Sequence, residues 1–261
     1  MFSTFAHSHL EFVMIIYQSI LQNKAKGEKS LAVLIDPDKT SAAEAIAVSE
    51  LAVQSQVDYF FVGSSLLLNN NLQSCVNALK KSSDIPVVLF PGNTMQVCSD
   101  ADAILFLSLI SGRNPEFLIG QQVLAAPLLK STNLEVIPTG YMLIDCGHPT
   151  SVTYMSQTIP IPNDKDDIAV STALAGEMLG LKAIFLDAGS GGKLAVNTSM
   201  IEAVKQSISV PLIIGGGIRT PEKALQNCLA GADIIVIGNA VEKDQTLISE
   251  ISGAVHSFQT I

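Results

Sequence analysis

The sequence predicts an α/β protein, a single-domain (β/α)8 TIM barrel, and three observations support that prediction. The chain has 261 residues and a hydrophobic content of 48%, which suits the one large core that such barrels build in a single domain. Short apolar runs recur along it with helical segments between them. These runs are apolar at almost every position, so we expect both faces of each strand to be buried, as in a parallel sheet under crossover helices.

The predicted strands number eight. In chain order they are LAVLID from position 31, DYFFVG from 58, PVVLFPG from 86, AILFLS from 103, LEVIPTG from 134, KAIFLDAG from 182, PLIIGGG from 211 and DIIVIGN from 233. Eight β/α units in a chain of this length favour a closed barrel. An open doubly wound sheet is the alternative, although the glycine fingerprint of a dinucleotide-binding fold does not follow the first strand.

Two segments depart from this alternation. Apolar residues at helical spacing predict an amphipathic N-terminal helix over residues 10–25. Residues 141–167, which lead from the fifth strand towards the sixth, contain one glycine and three prolines that break both helix and strand. Long loops in compact domains are usually functional, so we expect this one to cover the active site. No linker is visible elsewhere, and residues 1–261 are predicted to form one domain.

The bulk composition excludes several classes of function. With 24 acidic and 15 basic residues and a net charge of −9, the chain lacks the broad basic face that a nucleic acid or an anionic membrane would need. Its first residues contain no basic leader and no apolar stretch that could span a bilayer, so neither export nor a transmembrane segment is predicted. Four scattered cysteines without metal spacing indicate structural thiols in a reducing cytoplasm. Barrels of this size often associate, and we expect a homo-oligomer.

Glycines end the last three predicted strands, in the segments FLDAGSGG, IIGGGIR and VIGNAV. Without a Cβ, their backbone N–H groups can turn inward and approach an anion closely. Thr220 and Pro221 are predicted to begin the next helix and another helix is expected near Asn239, so helix N-termini would face the same point. One glycine loop can end a strand for steric reasons alone, but three on adjacent strands predict a phosphate site.

Asp36 follows the first predicted strand and should lie at the same rim of the barrel. A carboxylate there suits Mg²⁺, which takes oxygen ligands and keeps several waters while it bridges substrate phosphates. An equally open interpretation is that Asp36 starts an Asp-Pro turn and caps the next helix. Ser65, after the second strand, could add a neutral oxygen ligand or act as a helix N-cap.

Several segments together resemble the geranylgeranylglyceryl phosphate synthase family and its bacterial PcrB relatives. They are LIDPDK, FFVGSSLL, PTGYMLID, FLDAGSGG, PLIIGGGIR and ADIIVIGNAV, in the family's order from Leu31 to about Val241. The segments GHPTSV and PIPNDKDDIA resemble the second, larger group of that family. The resemblance implies a TIM-barrel prenyltransferase that moves a geranylgeranyl group from its diphosphate to the C3 hydroxyl of sn-glycerol 1-phosphate, releases diphosphate and depends on Mg²⁺. A longer, heptaprenyl donor is the alternative within the family.

The resemblance also assigns roles to residues. Asp36 and Ser65 fall where the family binds Mg²⁺, and Asp36 and Asp187 are the implied catalytic residues. The implied glycerol phosphate site consists of Phe185, Leu186, Asp187, Ala188, Gly189, Ser190, Gly191, Gly216, Gly217, Gly238 and Asn239. Two positions depart from the family pattern, since Phe185 stands where Tyr is usual and Asp187 where Glu is frequent. Arg113 and His148 are candidates to contact diphosphate, with a solvated loop side chain as the alternative for each.

The chemistry of the residues agrees with such a transfer. An allylic diphosphate ionises once Mg²⁺ and N–H or cationic donors stabilise the leaving charge, and a carboxylate must orient the attacking hydroxyl. Asp36, the glycine loops and Asp187 would provide these. Two rivals are another phosphate-binding barrel, such as an indole glycerol phosphate synthase or a sugar-phosphate isomerase, and a barrel that only senses a phosphorylated ligand. The first lacks its Lys and Glu constellation here, and the retained carboxylates argue against the second.

Overall fold

The computed structural model describes residues 14–69 and 71–258, and within these ranges eight parallel strands close into a barrel. The strands are β1 (Ser30–Ile35), β2 (Tyr59–Val62), β3 (Val87–Leu89), β4 (Ala103–Leu109), β5 (Glu135–Leu143), β6 (Ala183–Asp187), β7 (Leu212–Gly215) and β8 (Ile234–Ile237). Each strand pairs with the next, and β8 closes on β1. The predicted TIM barrel is confirmed.

Helices cover the outside of the barrel and one end of it. They are α1 (Ile15–Lys26), α2 (Ala42–Gln54), α3 (Leu72–Ser82), α4 (Gln121–Lys130), α5 (Ser151–Ser156), α6 (Asp166–Met178), α7 (Thr198–Ser207), α8 (Pro221–Leu229), α9 (Asn239–Lys243) and α10 (Leu247–His256). A π-helical turn, Glu116–Gly120, leads directly into α4. No helix within the described ranges is long and apolar enough to cross a membrane.

Alternate side chains of each strand belong to two different cores, which explains the unbroken apolar runs. Along β2, Tyr59 and Phe61 lie in the cluster inside the barrel, whereas Phe60 and Val62 lie in the cluster between the sheet and its helices. All four side chains are buried. Because both faces of the sheet are covered, the alternation that marks a half-exposed strand is lost.

The N-terminal helix α1 closes the end of the barrel where the strands begin. Ile16, Tyr17 and Ile20 pack into the cluster inside the barrel. At the first residue of β5, the two carboxylate oxygens of Glu135 accept hydrogen bonds from Ile16 N at 2.8 Å and Tyr17 N at 2.7 Å. A carboxylate therefore satisfies two of the unpaired N–H groups that begin every helix and meets the positive end of its dipole. The predicted helix is confirmed from Ile15 onward, and its predicted residues 10–13 lie outside the described part of the chain.

The third β/α unit departs from the prediction. Residues 90–102, all of which the structure describes, contain no helix between β3 and β4. The connection has only 13 residues and begins with Pro91 and Gly92, which disfavour a helix there. The expectation that every strand is followed by a helix is wrong at this position. Its consequence is that Phe106 of β4, which is only partly buried, lines a cleft on this side of the sheet.

The long loop after β5 is shorter and more structured than predicted. β5 continues to Leu143, and Ile144 then forms a parallel bridge with Ile161. Between these two residues the six-residue helix α5 folds over the ends of the strands. Four side chains of this segment line the cleft described below: Ser151, Val152, Met155 and Ser156.

Replacing Glu135 with alanine should destabilise the fold. The substitution leaves the Ile16 and Tyr17 N–H groups without partners at a buried position, so we expect a loss of about 1–3 kcal/mol in the free energy of unfolding. Glu135→Gln, which keeps one acceptor oxygen, should cost less. Urea denaturation of the variants measures both.

Glu28→Ala is the matched control for Glu135→Ala. Glu28 makes an exposed ion pair with Lys26 at 3.7 Å, which should contribute less than about 1 kcal/mol. Equal losses for Glu28→Ala and Glu135→Ala would contradict the proposed closure of the barrel by α1.

Candidate functional site

The carboxyl ends of the strands open into a cleft of about 840 Å³, a volume suited to a small-molecule ligand. Its polar half is built by the residues after β1, β2, β6, β7 and β8, among them Asp36, Lys39, Ser64, Ser65, Asp187, Gly189, Ser190, Gly216, Gly217, Arg219, Gly238 and Asn239. Its apolar half runs between the helix-free connection and α4, along Phe90, Val97, Ile104, Phe106, Phe117, Ala125 and Leu129. The cleft is therefore shaped for a ligand with one polar and one apolar end.

Asp187 ends β6 and is the buried carboxylate of the polar half. Its Oδ2 accepts a hydrogen bond of 2.6 Å from the Tyr141 hydroxyl, and its Oδ1 accepts one of 2.8 Å from Gly189 N. Tyr141 lies on the neighbouring strand, where the register pairs it with Phe185. Two donors of different kinds therefore fix the carboxylate in one orientation, as a positioning group requires.

Burial and hydrogen bonding act in opposite directions on this carboxyl group. Burial raises the pKa of Asp187 above its ordinary value, and the hydrogen bonds from Tyr141 and Gly189 limit the rise. Burial, reinforced by the charge of Asp187, raises the pKa of Tyr141 well above the ordinary phenol value. The phenol therefore keeps its proton and acts as a donor to a carboxylate that is more basic than a solvated one.

Phe185 forms the floor of the cleft inside the barrel. Its ring stacks on Phe90 with the centroids 5.2 Å apart, and it meets the Tyr141 ring edge-on at 5.6 Å. These contacts hold the Tyr141 ring in place beneath Asp187. Phe185 thus offers an apolar surface and no hydrogen bond, whereas Tyr141 provides a phenol within the same cluster.

The glycines after β6 and β7 have backbone conformations that other residues rarely adopt. Gly189 and Gly216 have φ values of +79° and +78°, in the left-handed region. A Cβ on Gly216 would lie 2.7 Å from each of Asp187 Oδ1, Ala188 N and Gly189 N. The two loops are therefore packed backbone against backbone, and only glycine fits between them.

The glycine loops after β6, β7 and β8, which together we call the cradle, make two further contacts. The Ser190 hydroxyl donates to Asn239 Oδ1 at 2.8 Å, which links the loop after β6 to the first residue of α9. Arg219, directly after the β7 glycines, donates from Nη2 to the Gly192 carbonyl at 2.6 Å. Thr220 then caps α8 through Lys223 N, as predicted. The Arg219 guanidinium consequently lies at the glycine-lined end of the cleft, where it favours an anion.

Asp36 occupies the opposite side of the polar half. Its Oδ1 accepts from Asp38 N at 3.1 Å, and its Oδ2 accepts from the Ser64 hydroxyl at 3.2 Å with Lys39 Nζ 3.5 Å away. The Asp-Pro turn therefore forms. The cap interpretation is wrong, because Ser41 caps α2 in a capping box with Glu44.

The remaining predicted residues lie in several surroundings. Leu186 and Ala188 are buried between the sheet and its helices, so their side chains point away from the cleft. Ser65 lines the cleft and does not begin α3, whose first residue is Leu72. Arg113 and His148 are not among the residues that line the cleft. Arg113 donates to the Gly112 carbonyl at 2.7 Å, and His148 Nδ1 lies 3.6 Å from Cys146 Sγ.

Three residues of the cleft are not identified by the sequence alone. Tyr141 follows the predicted end of the fifth strand at Gly140, although its position in PTGYMLID is a usable signal. Ser64 and Ser65 are adjacent, and the sequence does not tell which hydroxyl faces Asp36. Arg219 comes directly after the GGGI segment, and a cation beside a glycine loop is a signal that could identify it.

Comparisons with known proteins agree on one family. The PcrB family profile matches residues 23–255. A geranylgeranylglyceryl phosphate synthase of Chitinophaga pinensis is 57% identical over 242 residues, which are 93% of this chain and 96% of that protein. The synthase of Spirosoma linguale is 49% identical over 235 residues, 90% of this chain and 94% of that protein. The crystal structure of (S)-3-O-geranylgeranylglyceryl phosphate synthase from Thermoplasma acidophilum in complex with its substrate sn-glycerol-1-phosphate matches with a TM-score of 0.89 at 32% identity, covering 93% of this chain and 99% of that one.

Gly216→Ala should weaken anion binding at the cradle. The new Cβ would collide with Asp187, Ala188 and Gly189, so the loops after β6 and β7 must separate. We expect calorimetric titration with inorganic phosphate to show at least about a tenfold loss of affinity, because each 1.4 kcal/mol of lost interaction is worth a factor of ten.

Gly180→Ala is the control that distinguishes the effect of the steric collision at Gly216 from the effect of backbone strain alone. Gly180 has a φ of +90°, and a Cβ on it would meet no other atom within 4 Å. It lies at the opposite end of the barrel, after α6. Its substitution should reduce stability by about 1–2 kcal/mol and leave phosphate affinity unchanged. Equal phosphate affinity in both variants would argue against the cradle.

Proposed function

The chain belongs to the PcrB family, and on that premise we propose that it transfers a geranylgeranyl group from geranylgeranyl diphosphate to the C3 hydroxyl of sn-glycerol 1-phosphate, with release of diphosphate. The observation that carries the proposal is the buried Asp187, held by Tyr141 and Gly189 beside a glycine-lined anion cradle at one end of an apolar cleft. The activity named for its 57% identical relative supports it. So does the sn-glycerol-1-phosphate in the Thermoplasma acidophilum structure.

Glycerol phosphate would lie in the polar half of the cleft. Its phosphate would take the cradle formed by the loops after β6, β7 and β8, with Arg219 supplying positive charge. The C3 hydroxyl would donate to the Asp187 carboxylate. Because Tyr141 and Gly189 hold that carboxylate in one orientation, only one glycerol enantiomer can present both its phosphate and its C3 hydroxyl correctly.

The transfer makes one bond and breaks one. A new bond forms between the glycerol O3 and C1 of the prenyl chain, while the bond from C1 to the diphosphate oxygen breaks and the diphosphate leaves with its electron pair. The proton of the C3 hydroxyl passes to Asp187. Burial raises the pKa of this carboxyl group, which makes it a better proton acceptor than a solvated carboxylate.

The prenyl chain would occupy the apolar half of the cleft. That half exists because no helix follows β3, so Phe106 of β4 lines the cleft on the side that a helix normally covers, next to the buried Ile104. Ala125 and Leu129 of α4 form the far wall. A chain lying along β4 would bury its methylene groups at about 0.8 kcal/mol each.

Mg²⁺ fits the polar half of the cleft by its donor set. Asp36 supplies one carboxylate, and Ser64 and Ser65 bring hydroxyl oxygens to the same cleft. Among the described residues no three His, Cys, Asp or Glu side chains converge on one point. A single carboxylate plus water and substrate phosphates is a typical Mg²⁺ environment. When bound there, the ion would stabilise the negative charge of the departing diphosphate.

Two properties of the whole molecule complete the proposal. The four cysteines are free and buried, which is consistent with the reducing cytoplasm as the site of the reaction. Helix α4 exposes Val123, Leu124 and Leu128, each at least half accessible, and such an apolar face supports a homo-oligomer.

A product assay tests the function directly. With glycerol phosphate fixed, we expect kcat/KM to peak at the C20 diphosphate, to fall gradually for C15 and C10 as buried methylenes are lost, and to fall steeply for C35 because the cleft ends at a wall. The sn-1 enantiomer should be strongly preferred over sn-3. A maximum at C35 would make the protein a heptaprenyl transferase, and no turnover with any donor would remove the proposal.

Asp36→Asn should lower kcat by at least about 100-fold, the scale on which one transition-state charge contact acts. Removal of divalent ions with a chelator should act likewise, with recovery on added Mg²⁺ for the native protein only. Asp38→Asn is the matched control, because the Asp38 carboxylate already accepts hydrogen bonds from the backbone N–H groups of Leu68 and Asn69. Near-native activity of Asp36→Asn would show that Asp36 only forms its turn.

Tyr141→Phe should move the acid limb of the pH profile of kcat/KM to higher pH. The Tyr141 hydrogen bond lowers the pKa of Asp187, so its loss lets burial raise that pKa further. The carboxylate needed for catalysis is then protonated at a higher pH than in the native protein. Tyr59→Phe, which changes another buried tyrosine inside the barrel, should leave the limb in place. A common shift in both variants would point to a general change in packing.

A further inference from the structure

We propose that the entrance of the apolar cleft docks on a lipid bilayer through four exposed side chains, Leu66, Leu68, Met95 and Ile119, which we call the entrance rim. The inference rests on the proposed function, because a C20 diphosphate and its ether product both carry long apolar chains that partition into membranes. The rim would let these chains pass between the bilayer and the cleft without crossing water.

The rim side chains are exposed although they are large and apolar. Their accessible fractions are 45% for Leu66, 78% for Leu68, 87% for Met95 and 59% for Ile119. All four lie on segments that follow β2, β3 and β4, at the end of the barrel where the cleft opens. An apolar group of this kind around the mouth of a binding cleft marks an interaction surface.

Buried amide groups hold the three segments together. The Gln96 side chain accepts from Ser64 N at 3.1 Å and donates to the Ser64 carbonyl at 2.7 Å, which clamps the connection after β3 to the loop that carries Leu66 and Leu68. The Gln121 side chain accepts from Thr94 N at 3.2 Å, which ties the same connection to the start of α4. The rim is therefore a fixed surface and not a set of independent loops.

The charge of these segments selects the kind of partner. Residues 63–69, 90–97 and 114–121 contain one charged residue, Glu116, in a chain with 24 acidic and 15 basic residues. Its carboxylate is hydrogen-bonded to Gln121. Asp38 adds a second carboxylate at the rim, because it accepts hydrogen bonds from Leu68 N and Asn69 N. The cation next to these segments in the chain, Arg113, donates to the Gly112 carbonyl. Insertion of apolar side chains into the interface, and not attraction to anionic headgroups, would therefore drive docking.

The rim is continuous with the cleft. Leu66 and Leu68 are exposed to solvent and also line the cleft, and Val97 and Phe117 continue the apolar wall inward. A second copy of the chain is the other conceivable occupant. The rim has four side chains, whereas a stable dimer takes roughly 20 to 30 residues from each partner. The apolar face of α4 proposed above for a homo-oligomer begins at Val123, directly after the π-helical turn that carries Ile119, so the experiment below also measures the oligomeric state.

Flotation with phosphatidylcholine vesicles tests the proposal. Met95→Gln/Ile119→Gln changes the rim without touching a residue that lines the cleft, and Met178→Gln/Leu179→Gln is the matched control, with accessible fractions of 82% and 80% at the opposite end of the barrel. The native protein and the control should float, and the rim variant should bind about tenfold less, the factor that corresponds to 1.4 kcal/mol. Added phosphatidylglycerol should not increase flotation, because the chain has a net charge of −9 and anionic headgroups would repel it.

Activity separates this proposal from the proposed function. All three proteins should turn over the soluble C10 diphosphate equally without vesicles, whereas the rim variant should show a raised KM for C20 diphosphate carried in vesicles. Equal flotation of the rim variant and the native protein, or no flotation of either, would overturn the docking proposal. A rim-dependent dimer in sedimentation velocity would overturn it in favour of a second copy. No turnover of any diphosphate donor by the native protein, with flotation intact, would instead remove the proposed function.

Discussion

Hydrogen bonding between β1 and β8 is the constraint on which the rest of the site depends. The pairing runs from Ser30 with Ile234 to Val33 with Ile237, and it brings the two ends of the chain's sheet together. Asp36 thereby faces the loops after β7 and β8, and Lys39 reaches Glu242 at 3.4 Å across the seam. In an open sheet these groups would lie at opposite edges, and Asp36 could not face the glycine loops after β7 and β8.

Asp187 shows how a barrel can bury a carboxylate by giving it hydrogen-bond donors. A lone buried carboxylate is strongly destabilising, but here the Tyr141 hydroxyl and Gly189 N replace the lost water. The same two contacts set its orientation and moderate its pKa. The aromatic packing of Phe185 and Phe90 keeps the Tyr141 ring from turning away. Structure and chemistry thus depend on the same few side chains.

The fold is predictable from the sequence because burial on both sides of every strand leaves a local mark, an unbroken apolar run. Asp36, Asp187 and the glycine loops are predictable at one rim because parallel strands share the direction of their ends. The contact of Tyr141 with Asp187 is not, since it depends on the register between β5 and β6 and the residues are 46 positions apart. The absence of a helix between β3 and β4 is not predictable either. The spacing of the strands does not show whether the 13 residues between them form a helix or a loop.

The absence of a helix between β3 and β4 affects which parts of the cleft can evolve independently. In a barrel with a helix after every strand, the loops after the strands form the ligand pocket, and the same loops carry the catalytic groups. The size of the pocket then cannot change without affecting those groups. Here the apolar half of the cleft lies beside β4, and its far wall is formed by Ala125 and Leu129 of α4, remote from Asp187 in the chain. Under the proposed function, substitutions on α4 would lengthen or shorten the space for a hydrocarbon chain and leave the glycine loops unchanged. Phosphate binding and the limit on chain length would then depend on different parts of one fold.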